Sequence, residues 1–209
     1  AEGEFSELGY ARQTARAIGS DHHEVVISLE DFFSALPRLI WHEDEPIAWP
    51  SSVSLYFVSR LAASRVKVVL TGEGSDELFA GYARYRFYLM NRQWMAGYRL
   101  LPPAIRGWIR RQAAASKLLS AGLRRKLGHT FIARGDSLES LYLDNFYCAF
   151  SGGEQERLFS LPPGPSPYAQ YFGYWNARPR FPALDRMLYA DSKTYLVELL
   201  MKQDQMSMA

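Results

Sequence analysis

The chain has 209 residues, 48% of them hydrophobic, 22% charged and 14% aromatic, a globular composition that speaks against disorder and allows one good core. A net charge of +2 gives a general nucleic-acid role no support. The single cysteine, Cys148, excludes an internal disulfide and a cysteine-based zinc site and makes a cytoplasmic compartment the default. No apolar run reaches the roughly eighteen residues a transmembrane helix needs.

The opening AEGEFSELGY has neither an initiator Met nor the basic-then-apolar pattern of a signal peptide, and KQDQMSMA ends as abruptly. An internal piece of a longer chain is expected. Leu8, Ala11, Ala15 and Ile18 have helical spacing over 7–18, with Gly19 placed as a C-cap. His23–Ile27 reads as a short strand. Ser28 caps a helix from Leu29, and Pro37 is expected to break it and open a second one reaching His42. Ser51 and Ser52 can cap a helix over 53–65. Val66–Leu70 reads as a buried strand, and a helix from Asp76 to Met90 follows.

This helix–strand alternation predicts an α/β fold with a parallel sheet and helices on both faces. Two strands make no stable sheet, so the remaining strands are expected before Ala1. From Arg92 onward the pattern is nearly all helix, with elements expected from Pro102 to Arg111, over Lys117–Lys126, and over 137–150, 153–159, 167–175, 182–196 and 198–207. A stiff connection, LPPGPSP, lies at 161–167. Residues 1–91 thus form an α/β part and 92–209 a helical part.

The stretch VKVVLTGEGSDELFAGYARY, residues 66–85, carries the chemistry. Glycines where a strand meets a helix let backbone approach a ligand, but an acidic loop will not hold a triphosphate unaided. Mg²⁺ bound by Asp76 resolves the conflict. The plainer alternative is a turn whose Asp76 and Glu77 complement a helix dipole. In WHEDEPIAWPSS, 41–52, consecutive helical side chains diverge, so a solvated helix end is expected rather than a metal site. In LLMKQDQMSMA, Lys202 and Asp204 lie amid apolar residues near a helix end, and Lys202 offers a cation for a phosphoryl oxygen, or is only a surface lysine. SGGEQE, 151–156, fits a capping box on Ser151 and Glu154 better than a phosphate loop. The basic cluster Arg106, Arg110, Arg111, Lys117, Arg124, Arg125, Lys126 reads as a solvated helical face.

Together these segments carry a resemblance. VVLTGEGSDELFAGY resembles the S-G-(E/D)-G-(S/G)-D-E-(L/V)-F-G-G-Y loop of the asparagine synthetase family, glutamine-hydrolysing class B type. DEPIAWPSS is similar to its D-E-P-x-x-x-x-S segment, and TYLVELLMKQDQMSMA to its Y-L-x-x-x-L-L-x-K-x-D-x-x-S-M-A. The likeness spans most of the chain and is weakest over about 92–180. It implies an internal piece of the C-terminal synthetase domain, with a partial sheet of the ATP-pyrophosphatase (adenine nucleotide alpha hydrolase-like) type. In the family, ATP and Mg²⁺ activate aspartate as β-aspartyl-AMP with release of pyrophosphate. Ammonia from glutamine, released by an N-terminal glutaminase domain, then attacks the acyl carbon.

Carried over by position, the resemblance implies an ATP site at Thr71, Gly72, Gly74 and Ser75, and a Mg²⁺–pyrophosphate carboxylate at Asp76. Glu73 would take a proton from the attacking ammonia or orient it. Lys202 would steady charge on the adenylate, and Asp204 would orient Lys202. Gln205 stands where many members have Arg or Lys, Ala80 where Gly is usual, and Thr71 where Ser is common. The family's S-G-G-x-D-S pyrophosphate loop does not occur in these residues, so the piece alone is expected to be nearly inactive. An uncovered sheet edge would favour association, making a homodimer one further expectation. No membrane and no nucleic-acid partner is expected. Two rivals stay open. One is a related amidotransferase acting on another carboxylic acid, although β-lactam synthetases carry Tyr where Glu73 stands. The other is a non-catalytic binding module using the basic helices.

Overall fold

The computed structural model describes residues 8–47, 51–116, 119–134, 137–148, 150, 152–158 and 166–209. Every regular element among them is helical: α1 (Leu8–Ile18), α2 (Leu29–Glu43), α3 (Ser51–Ala63), α4 (Ser75–Phe79), α5 (Ala83–Tyr98), α6 (Pro103–Ala115) and α7 (Ala121–Gly128). A π-helical stretch, Glu139–Leu143, then runs into α8 (Asp144–Phe146), followed by α9 (Gly152–Leu158), α10 (Ala169–Asn176), α11 (Ala183–Lys193) and α12 (Tyr195–Met208). The expected α/β fold with a partial parallel sheet is therefore corrected: the described residues contain no strand and no sheet.

The physical reason is that a strand exists only through its partner. A ladder needs a second backbone about 4.8 Å away to take its N–H and C=O groups. His23–Ile27 and Val66–Leu70 do not pair, and both are irregular chain. The apolar run read as buried is largely bare, with Val68 78% and Leu70 95% exposed. The first segment keeps the alternation of a strand without its ladder: Val25 and Ile27 pack on the core while Val26 is exposed.

The chain divides into two compact units, one of residues up to Gly72 together with Glu198–Ala209, the other Glu73–Val197. In the first, α1 ends at Gly19, whose φ of +68° suits a residue without a Cβ. Ser28 caps α2 as expected. Its Oγ accepts the Asp31 N–H at 3.0 Å, and the Asp31 carboxylate accepts the Ser28 N–H at 3.0 Å. Pro37 does not break α2, which runs through it unbroken. The proline costs one helical hydrogen bond, about 3 kcal/mol in an exposed helix. Apolar residues on both sides of it, Leu36 and Leu39, bury into one core with Val53, Phe57 and Met206 and offset that cost. Ser51 and Ser52 lie inside the first turn of α3 rather than capping it.

In the second unit the single helix expected over Asp76–Met90 is two helices. Ala80 adopts the left-handed conformation, φ 59°, and the Gly81 N–H closes back on the Asp76 carbonyl at 3.0 Å, ending α4. Then α5 starts afresh at Ala83. A core of Tyr85, Leu141, Tyr142, Met187 and Ala190 joins α5, the π-helical stretch and α11, and α11 also packs on α4 and α10. Residue Ser151 of the expected capping box, and most of LPPGPSP, lie outside the described residues.

Candidate active site

The unit boundary falls inside the signature loop, after Gly72. Thr71 and Gly72 close the irregular segment of the first unit. The Gln203 side-chain amide donates to Thr71 Oγ1 at 2.9 Å, tying the segment to α12. Thr71 and Asp204 both line a cavity of about 420 Å³ between α3, the 66–71 segment and α12, with Lys67 at its wall.

In the second unit the three carboxylates of the loop have different fates. Glu73 is exposed, Asp76 is half-buried, and Glu77 is 1% exposed. Gly74 is buried with φ +90°, and a Cβ there would lie 3.2 Å from a Leu196 methyl, so a larger residue meets both strain and a crowded wall. Ser75 opens α4. Asp76 rests on Gly81: a Cβ at that glycine would stand 1.8 Å from Asp76 Oδ1. Gly81 is thus a cradle for the carboxylate. Glu77 accepts a hydrogen bond from the Tyr82 hydroxyl at 2.8 Å. Burial, and next that hydrogen bond, push the Tyr82 pKa above its ordinary value.

Among the described residues no group of three or more His, Cys, Asp or Glu is placed to hold a metal ion. A Mg²⁺ that keeps most of its ligands from phosphate and water needs only one or two carboxylates. The single carboxylate Asp76, seated in the Gly81 cradle, suits that kind of ion.

Lys202 is 8% exposed and surrounded by acid. Its ammonium donates to Glu45 Oε1 and lies 3.9 Å from Glu43 Oε2 and 4.0 Å from Glu198 Oε1. Burial opposes its charge, but the Glu45 hydrogen bond and the three carboxylates outweigh burial and raise its pKa above the ordinary lysine value. Glu43 and Glu45 belong to the stretch expected to be a solvated helix end, yet Glu43 is buried. Its position was legible: Glu43 follows Leu39 by four residues on the buried face of α2. Asp204 is exposed and two residues beyond Lys202, on a different side of α12; the acidic partners of Lys202 are the three glutamates.

A second buried cation escaped the sequence reading. Arg84, on α5, donates to Asp191 Oδ2 at 3.2 Å, and the same oxygen accepts from the hydroxyls of Tyr85 at 2.7 Å and Tyr142 at 2.8 Å. The guanidinium carbon sits 4.0 Å from the ring centre of Tyr82, 4.4 Å from Tyr195 and 4.9 Å from Tyr147. Burial opposes its charge, but Tyr142, Tyr147 and Asp191 hold the Arg84 pKa above its ordinary value. The one available signal was the density of tyrosine around it in sequence, Tyr82, Tyr85 and Tyr88.

A loop with one exposed carboxylate, one carboxylate cradled by a glycine and one buried carboxylate is the candidate site of this fold. The family model for asparagine synthase matches residues 1–209, and the chain belongs to that family. It is 38% identical to a putative glutamine-hydrolysing asparagine synthetase of Mycobacterium tuberculosis (strain ATCC 25618 / H37Rv), over 98% of this chain and 30% of that protein. It is 31% identical to a glutamine-hydrolysing asparagine synthetase 1 of Bacillus subtilis (strain 168), over 98% of this chain and 31% of that protein. An amidase, chyE, of Penicillium rubens is 37% identical over 41% of this chain. The chain spans about 30% of the length of the first two relatives. No solved structure matches it. Among the described residues no helix is long and apolar enough to cross a membrane.

Proposed function

We propose that this chain is part of the synthetase half of a glutamine-hydrolysing asparagine synthetase. The aspartate β-carboxylate attacks the α-phosphorus of ATP, giving β-aspartyl-AMP and pyrophosphate. Ammonia released from glutamine adds to the acyl carbon, loses a proton, and expels AMP to leave asparagine. What supports this most is the family match over residues 1–209, together with the arrangement of the GEGSDE loop.

Glu73, exposed beside the loop glycines, is proposed to take the proton from the ammonium-like tetrahedral intermediate. Thr71, Gly72, Gly74 and Ser75 are proposed to line the nucleotide with backbone and hydroxyl groups. Asp76 is proposed to hold Mg²⁺, which when bound offsets charge on the departing pyrophosphate. Lys202 is proposed to act indirectly, because its ammonium is already satisfied by carboxylates: it fixes the Glu43–Glu45 segment. Asp204 is proposed to face substrate through the cavity it shares with Thr71. By itself the chain is proposed to form no adenylate, since a second phosphate-binding loop of the family is not among its residues.

The test uses the full-length protein with ATP, Mg²⁺, aspartate and either glutamine or ammonia, following AMP and asparagine. Glu73→Gln is expected to lower asparagine formation about a hundredfold to ten-thousandfold while aspartate-dependent exchange of pyrophosphate into ATP persists. Asp76→Asn is expected to lose both. Absence of asparagine with either nitrogen donor, or a clear preference for another carboxylic acid, would overturn the assignment.

A further inference from the structure

We propose that Glu77, Tyr82, Arg84 and Asp191 form a clamp that positions the acidic loop Glu73–Asp76, with Glu77 and Tyr82 as its positioning residues; this rests on the proposed synthetase function. The chain of contacts is continuous. Asp191 is fully buried and anchors Arg84, with Tyr85 and Tyr142 sharing the same carboxylate oxygen. The Arg84 guanidinium carbon in turn lies 4.0 Å from the ring centre of Tyr82 and 4.4 Å from that of Tyr195. The Tyr82 hydroxyl then reaches Glu77, one residue beyond Asp76.

The loop has little else to hold it. With five residues, α4 is too short to be stable by its own hydrogen bonds. Leu78 and Phe79 are exposed, so they contribute no core anchor. What ties α4 down is the buried Glu77, the Gly74–Leu196 contact and packing of α11 on α4. A carboxylate buried in this way is costly unless hydrogen-bonded, and Tyr82 supplies the bond. The cation is arginine for a physical reason. A broad, weakly hydrated guanidinium can pair with Asp191 while lying close to several aromatic rings, which suits it better to this site than a compact lysine ammonium.

The clamp is tested by hydrogen exchange on the full-length protein, comparing wild type with Tyr82→Phe, Arg84→Lys and Glu77→Gln. Tyr82→Phe keeps the ring on Arg84 and removes only the hydroxyl. It should accelerate exchange of residues 73–81 about tenfold, with α6 unchanged. Arg84→Lys should act in the same direction. Glu77→Gln keeps an acceptor oxygen and should stay close to wild type. In Tyr82→Phe and Arg84→Lys the Mg²⁺ concentration for half-maximal asparagine formation should rise about tenfold while KM for glutamine is unmoved, and Glu77→Gln should again stay close to wild type. Unchanged exchange at 73–81, or acceleration spread evenly over α5, α10 and α11, would overturn the clamp. Accelerated exchange with an unmoved Mg²⁺ requirement would make these residues scaffold only, which also overturns the positioning role. A full-length protein that makes no asparagine would sink the proposed function, while exchange at 73–81 would still decide the clamp.

Discussion

Two largely buried cations, Lys202 in one unit and Arg84 in the other, are held in opposite ways. Lys202 is a compact ammonium among three glutamates, one of them, Glu43, buried with a carboxylate oxygen that has no hydrogen-bond partner. Arg84 has one carboxylate and a wall of tyrosine rings, so its charge is balanced one to one and its guanidinium lies close to several π-systems. The lesson is that a lysine site can tolerate surplus acid near solvent, since Glu45 and Glu198 are about half exposed. The arginine site matches a single fully buried acid one to one, although Asp191 Oδ1 and Arg84 Nε are likewise buried without a hydrogen-bond partner. The first arrangement holds a chain segment, Glu43–Glu45, to α12. The second joins α5 to α11.

The largest effect should come from unbalancing the deeper site. Asp191→Ala strands a buried guanidinium and should cost about 3–5 kcal/mol in urea unfolding. Arg84→Met combined with Asp191→Asn should cost clearly less than the sum of the single changes, because it removes both charges. Strict additivity would show that the two residues are not an energetic pair. Next comes Lys202→Met, which should cost about 2–4 kcal/mol by leaving Glu43 buried without its cation. Adding Glu43→Gln should recover much of that loss, and failure to recover it would place the charge balance at Glu45 instead.

The alkaline limb distinguishes the units further. Lys202 has a pKa raised above the ordinary 10.5, and buried Tyr85 and Tyr142 have theirs raised above 10.0, chiefly by burial and next by Asp191. In each case the folded state holds its proton more tightly than the unfolded chain. These contributions are whole below pH 10 and are lost as pH rises through the folded values. Stability should therefore fall above pH 10 in wild type, and Lys202→Met should flatten only the part contributed by the lysine. A limb unchanged in that variant would assign the whole effect to the tyrosines. The smallest effect is a gain. Ala80 holds φ 59°, where a Cβ is disfavoured, so Ala80→Gly should raise stability by about 1 kcal/mol. A loss there would mean that the Ala80 methyl, packed on the core, outweighs the strain.

Much of this was legible in one dimension. Ser28 and Gly19 behave as the cap residues they resemble, because caps are local hydrogen-bond problems solved within four residues. The signature loop was found by its residues, and the family match over residues 1–209 agrees with it. The strands were misread for a reason in the same physics: apolar runs at 23–27 and 66–70 report a preference for burial, whereas a strand requires a partner backbone that no local pattern supplies. Pro37 was misread because helix-breaking is a local cost and burial of Leu36 and Leu39 is a tertiary gain.

By itself, the sequence determined the caps at Gly19 and Ser28, the helical second half, the acidic loop and the family that loop belongs to. Only the tertiary structure decided which carboxylate of the loop is exposed, which is cradled by Gly81 and which is buried under Tyr82. It alone showed that Lys202 is spoken for by Glu45, 157 residues away, and Arg84 by Asp191, 107 residues away. Charge compensation acts through space at a few ångströms, so partners far apart along the chain leave no periodic trace for a sequence to display.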